Sequence, residues 1–202
     1  MKTLLIIDVQ NDFLPGGSLP VAGSDVIVPI INRLQARFDL VVAAQDWHPQ
    51  NHASFASNHP GRAPFDAIEL NGLAQTLWPD HCVQGSRGAA FASALDMRRV
   101  EAIFRKGCDP AIDSYSAFFD NGHRKTTGLA DYLRGKGTTE LSLCGLAGDI
   151  CVHFSALDAV QAGFAVHFIR DAATPLDPVA AVARLDELHQ QGVRILDSDQ
   201  IG

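Results

Sequence analysis

Only four cysteines occur in 202 residues, at positions 82, 108, 144 and 151, and no two of them form a C-x-x-C pair. That spacing argues against a disulfide-stapled framework, and free thiols in a reducing cytoplasm are the expected state. Positive charge is also in short supply. The 16 Lys and Arg against 23 Asp and Glu give a formal net charge of −7, so neither nucleic acid nor an anionic membrane is an expected partner. No apolar run approaches the roughly 20 residues of a membrane span. The apolar opening MKTLLIIDVQ is broken by Asp8, too early for the hydrophobic core of a secretory leader. No G-x-G-x-x-G follows an apolar run, which leaves a dinucleotide site without support. Repeats, low-complexity tracts and charge blocks are absent. What remains, 47% hydrophobic and 19% charged, suits one globular domain over 1–202 that is long enough to bury a real core.

Apolar runs of strand length occur at 3–9, 40–44, 100–105, 140–144, 164–169 and 193–196. Helical spacing of apolar residues occupies 25–38, where Ser24 is a candidate cap, and recurs at 127–134, 150–162 and 178–191. Asp149 is the candidate cap for the helix at 150–162, and Gly163 its stop. Near-continuous apolar strands alternating with helices indicate a doubly wound α/β fold, a mainly parallel six-stranded sheet with helices on both faces. Between about 47 and 98 the chain is rich in His, Pro, Asn and Gly with little periodicity. A connection that long inside one domain is usually functional, and it is the expected place for a lid or metal-site insertion.

In such sheets ligands bind beyond the carboxyl ends of the strands. Four strands end there in reactive groups: Asp8, Asp46 with His48, Lys106, and Cys151 just past its turn. A lone cysteine at a helix start is commonly just a packed core residue. The company of an acid and a lysine on the same sheet edge favours a nucleophile instead. The helix start is expected to favour its thiolate, Asp8 to accept and return a proton, and Lys106 to balance the charge. The turn Gly145-Leu146-Ala147-Gly148, with the Cys151 N–H, can aim donors at an oxyanion. Asp46-x-His48 on an extended segment places two metal-type ligands on one side, with His52, His59 and His81 available to complete a site. Of these, His59 is expected to be merely solvated and His81 is better placed. Carboxylate and imidazole without thiolate suit a divalent ion, zinc first, iron or manganese otherwise.

Six segments together resemble the nicotinamidases, or pyrazinamidases, of the isochorismatase-like hydrolases. They are IDVQNDF at 7–13, DWHP at 46–49, WPDHCVQG at 78–85, KG at 106–107, DSYSAFFDN at 113–121 and GLAGDICV at 145–152. The resemblance runs over nearly the whole chain, in order. It implies an isochorismatase-like fold and a cytoplasmic, metal-containing amidase of NAD salvage, acting on nicotinamide as a small-molecule substrate through a cysteine thioester, as a monomer or small homo-oligomer. It implies a catalytic triad of Asp8, Lys106 and Cys151, with Ala147 and Cys151 forming the oxyanion hole and a cis peptide before Ala147. It also implies a metal held by Asp46, His48 and His81 that binds the pyridine nitrogen, with His52 a further candidate ligand. Phe13 and Trp78 would sandwich the ring, and Leu19 and Tyr115 would line the pocket. Gly148 stands where the family often has Thr. A related amidase of carbamoyl or ureido compounds would have no use for the metal, and a non-catalytic binding domain would need no acid, lysine and thiol at three strand ends.

Overall fold

A computed structural model describes all residues from 1 to 202. Its central strands are the most apolar runs of the chain. In β1 (Lys2–Ile7) every residue after Lys2 is buried, and β2 (Leu40–Asp46) is buried throughout. Because successive side chains leave a strand on opposite faces, Leu4 and Ile6 enter one core while Leu5 and Ile7 enter the other. The first core is closed by α1 (Ile27–Leu34) and by residues 9–21 and 78–97. The second is closed by α2 (Leu129–Lys136), α3 (Cys151–Gln161) and α4 (Pro178–Gln190).

With β5 (Val100–Lys106), β6 (Glu140–Gly145), β7 (Ala165–Ala173) and β8 (Arg194–Leu196), the sheet runs β5-β2-β1-β6-β7-β8, all neighbours parallel. The chain builds outward from β1 through β2 to β5, then crosses back to place β6 on the other side of β1. The strand order therefore reverses between β1 and β6, and a crevice opens at their carboxyl ends. No helix is long and apolar enough to cross a membrane.

Several local expectations need correction. The predicted helix at 25–38 is broken into a 3-10 turn at Ser24–Val26, α1, and a second 3-10 turn at Gln35–Arg37. Pro29 has no N–H with which to close a turn onto Asp25, so α-helical bonding starts late. Ser24 does not cap the helix; its hydroxyl donates to the Phe13 carbonyl at 2.9 Å. Asp149 does not cap α3 either, and Ile150 occupies that position with no side-chain cap. The 47–99 connection contains an antiparallel hairpin of β3 (Ala67–Leu70) and β4 (Leu73–Thr76), unexpected from its weak periodicity. Its Asn71-Gly72 turn has φ of 53° and 80°, the two left-handed residues of a type I′ turn, and Asn-Gly between two short runs was the signal for it.

Candidate active site

Lys106 ends β5 and is almost fully buried, which an ammonium tolerates only among acceptors. Its Nζ lies 2.8 Å from Asp8 Oδ2 and 2.7 Å from Asp46 Oδ1. It also donates to the Ser114 carbonyl at 3.0 Å and sits 3.5 Å from Cys151 Sγ. Burial alone would push the lysine down, but Asp46 and Asp8 reverse this and hold it well above the usual lysine range. Asp8 follows β1 and is fully buried; burial, opposed by Lys106, raises it to about 6. Burial would likewise raise Asp46, yet Lys106 and His48 hold it well below the ordinary carboxylate range. The two carboxylates thus differ: Asp46 stays charged, while Asp8 is poised to exchange a proton near neutral pH. Asp8 Oδ2 is held by the Lys106 ammonium, which keeps the carboxylate in place beside the Cys151 sulfur.

Cys151 is the first residue of α3 and lines the crevice. The expectation of a thiolate is not met in this resting arrangement. Burial raises the thiol well above its usual value, Lys106 opposes this only in part, and Asp8 and Asp46 add to it. One ammonium cannot balance two carboxylates and a thiolate together. The turn before it contains the expected cis peptide, Leu146–Ala147. The N–H groups of Ala147 and Cys151 donate to no acceptor in the protein, as donors awaiting an oxyanion would.

Asp46, His48 and His81 form a second cluster, with ligand atoms within 4.8 Å of one another. Asp46 Oδ2 is 3.5 Å from His48 Nε2 and 3.8 Å from His81 Nε2. His48 Nδ1 faces the Gly107 carbonyl at 2.9 Å, and His81 Nδ1 faces the Pro79 carbonyl at 2.8 Å. A carbonyl can only accept, so each ring carries a proton on Nδ1 and turns Nε2 toward Asp46, the atom each would offer to a metal in the neutral form. This donor set fits a divalent cation, with three protein ligands and open positions left over. Gly107, at φ 63°, is required beside it, since a Cβ would fall 2.3 Å from the His48 ring.

His52 is arranged differently. It gathers with His48 and Asp113, and its Nδ1 meets the Ser54 hydroxyl at 2.7 Å and the Ser54 N–H at 3.2 Å. Burial, and then His48, push it down to about 4, so the ring is neutral. His59 lies apart, bonded to the Ala53 carbonyl at 2.7 Å.

Two residues that carried no site signal brace this cluster. Gln10 reads both backbone polar groups of Asp46, donating to its carbonyl at 2.8 Å and accepting its N–H at 2.8 Å. Asp12 accepts the Cys82 N–H at 2.7 Å and the Ser18 N–H at 3.2 Å, tying the residue after His81 to the loop that carries Leu19.

The crevice is lined by Phe13, Leu19, Trp78 and Tyr115, together with Asp46, His48, His81, Ala147 and Cys151. Every pocket residue named from sequence is there. Val21, Asp113, Ser114, Ile150 and Leu176 also line it. Asp113 and Ser114 could have been suspected from their place beside Tyr115, and Ile150 from Cys151; Leu176 carries no sequence signal.

A buried thiol, carboxylate and amine at the switch point of a parallel sheet, beneath a largely apolar crevice, are the groups of a cysteine hydrolase. The isochorismatase domain model matches residues 2–200, and the chain belongs to that family. It is 51% identical over 174 residues to the nicotinamidase of Escherichia coli (strain K12), covering 84% of this chain and 81% of that protein. The structure of the Acinetobacter baumanii nicotinamidase pyrazinamidease superposes with a TM-score of 0.97 at 44% identity, covering 100% of this chain and 98% of that one. The pyrazinamidase of Pyrococcus horikoshii, solved in complex with zinc, matches with a TM-score of 0.81 at 36% identity over 97% of this chain and 98% of its own.

Proposed function

We propose that this chain hydrolyses nicotinamide to nicotinate and ammonia, and pyrazinamide to pyrazinoate, as an amidase of NAD salvage. The observation that carries this reading is the position of Lys106 Nζ, 2.8 Å from Asp8 and 3.5 Å from Cys151, which itself lines an apolar crevice. Substrate entry expels water, and the Cys151 proton passes to the Asp8 carboxylate as sulfur attacks the amide carbon. The N–H groups of Ala147 and Cys151 hold the developing oxyanion, each such donor typically worth about a hundredfold or more in rate. Asp8 returns the proton to the departing amine, ammonia leaves, and a thioester remains. Asp8 then takes a proton from water, whose oxygen attacks the thioester carbon, and the proton goes back to sulfur as the acid departs. Lys106 holds Asp8 and the sulfur in register and limits the charge collected between them.

Asp46, His48 and His81 would hold one divalent ion, zinc by analogy with the Pyrococcus horikoshii pyrazinamidase. Such an ion supplies an open coordination position suited to a ring nitrogen. Phe13 and Trp78 would flank the ring, with Leu19 and Tyr115 at its sides. The 47–98 connection would serve as the lid and metal-site insertion of a single domain.

An ammonia-release assay on nicotinamide, pyrazinamide, benzamide and ureido compounds tests the reading. Release from the two azine amides well above the others is expected. Preference for ureido compounds would replace this reading with that of a related carbamoyl amidase.

A further inference from the structure

Gly148, the position where the turn departs from its family pattern, lies against the loop that follows β7. A Cβ built on it would fall 2.8 Å from the Ala173 carbonyl oxygen, 3.2 Å from the Ala173 carbonyl carbon and 3.3 Å from that of Thr174. Its φ is not in the left-handed region, so an alanine backbone would be unstrained there; only the room is missing. The obstacle is backbone, which cannot swing aside as a side-chain tip can. Gly148 N–H donates to the Thr174 carbonyl at 2.8 Å, closing the contact from the other direction. Asp149 then fastens the next residues, accepting the Leu176 N–H at 2.7 Å and the Asp177 N–H at 2.9 Å. Leu176, so held, forms part of the crevice wall beside Ala147, Ile150 and Cys151.

We propose that Gly148 is a positioning residue for substrate size: by lacking a Cβ it lets residues 173–177 lie close on the nucleophile turn and presses Leu176 into the ring pocket. This rests on the nicotinamide reading and deepens it. With a side chain at 148 the Ala173 carbonyl must retreat, and the retreat draws Leu176 out of the wall. The pocket then tolerates a larger ring on that side.

The experiment compares kcat and KM for nicotinamide and its 2-, 4-, 5- and 6-methyl derivatives. The proteins are wild type, Gly148→Ala, Leu176→Ala and the double variant. One methylene in an apolar pocket is worth roughly tenfold or more in discrimination, and a relaxation of that order is expected at one ring position in Gly148→Ala. Leu176→Ala should relax the same position, and the double variant should relax it little further. A uniform loss across all five amides, relaxation at different positions, or independent effects in the double variant would overturn the proposal. Leu176→Phe, which leaves Gly148 in place, should tighten that position. If neither leucine variant alters the methyl preference, the proposal fails even where Gly148→Ala does not fold. A wild-type chain inactive on nicotinamide fails the activity reading instead. The methyl preferences are then measured as the dissociation constant of each amide by titration calorimetry.

Discussion

Asp8, Lys106 and Cys151 stand at the ends of β1 and β5 and just past β6, where strand ladders fix the backbone. His48 and His81 stand on the 47–99 connection, whose only regular strands are β3 and β4. The first cluster needs little beyond the sheet to hold its shape. The second is held by side chains bonded to backbone: Gln10 on Asp46, Asp12 on Cys82, and the two Nδ1 atoms on the Gly107 and Pro79 carbonyls. Asp46 alone belongs to both, touching Lys106 with one oxygen and facing both imidazoles with the other. The division suggests that the sheet carries the chemistry and the histidines of the connection carry the recognition of a ring nitrogen.

The division is broken most severely at the nucleophile. Cys151→Ala should reduce turnover to background in the ammonia-release assay. Activity surviving in that variant would move the chemistry off the sheet.

Asp8→Asn and Lys106→Ala should each lower kcat by about a hundredfold or more, the usual scale for a proton-transfer partner. Combined with Cys151→Ala they should add nothing measurable, because the three act as one unit. Asp8 must be ionised to accept the thiol proton. With its carboxyl raised to about 6, kcat/KM should fall as pH drops below that value, about tenfold per unit. A profile flat down to pH 4.5 would contradict the assignment of the base.

The smallest effect belongs to the hairpin. Gly72→Ala, at φ 80°, should lower stability by about 1 kcal/mol through strain in the left-handed region, with kcat for nicotinamide hardly changed. A large loss of kcat, measured beside the thermal midpoint, would show that the connection takes part in the chemistry.

The sheet and the first cluster were readable because strand ends are punctuated. A continuous apolar run followed by Asp8, Asp46 or Lys106 marks both the element and the edge it reaches. The bracing was not readable. Asp149 at a helix start looks like a cap, yet two N–H groups at Leu176 and Asp177 claim its carboxylate across the crevice. Gln10 and Asp12 resemble any polar loop residues until the backbone they hold is known. Leu176 reaches the pocket only because residues 173–177 fold back on Gly148, a contact between positions 25 residues apart in the chain. His52 had suitable spacing for a ligand; that it gathers with His48 and Asp113 rather than with Asp46 and His81 is a property of local geometry.

The division itself is tested by kcat/KM for nicotinamide and benzamide, which share ring size and amide but differ in the ring nitrogen. The two are compared in wild type, metal-chelated protein, His48→Ala and Asp46→Asn. If the connection positions the ring, chelation and His48→Ala should cost nicotinamide on the order of a hundredfold and benzamide far less, the scale of a misplacement of about 1 Å. Asp46→Asn should harm both amides, since it also loosens Lys106. Equal losses on both substrates after chelation and in His48→Ala would contradict the account, because the histidine cluster would then serve the reaction or the fold rather than the choice of ring.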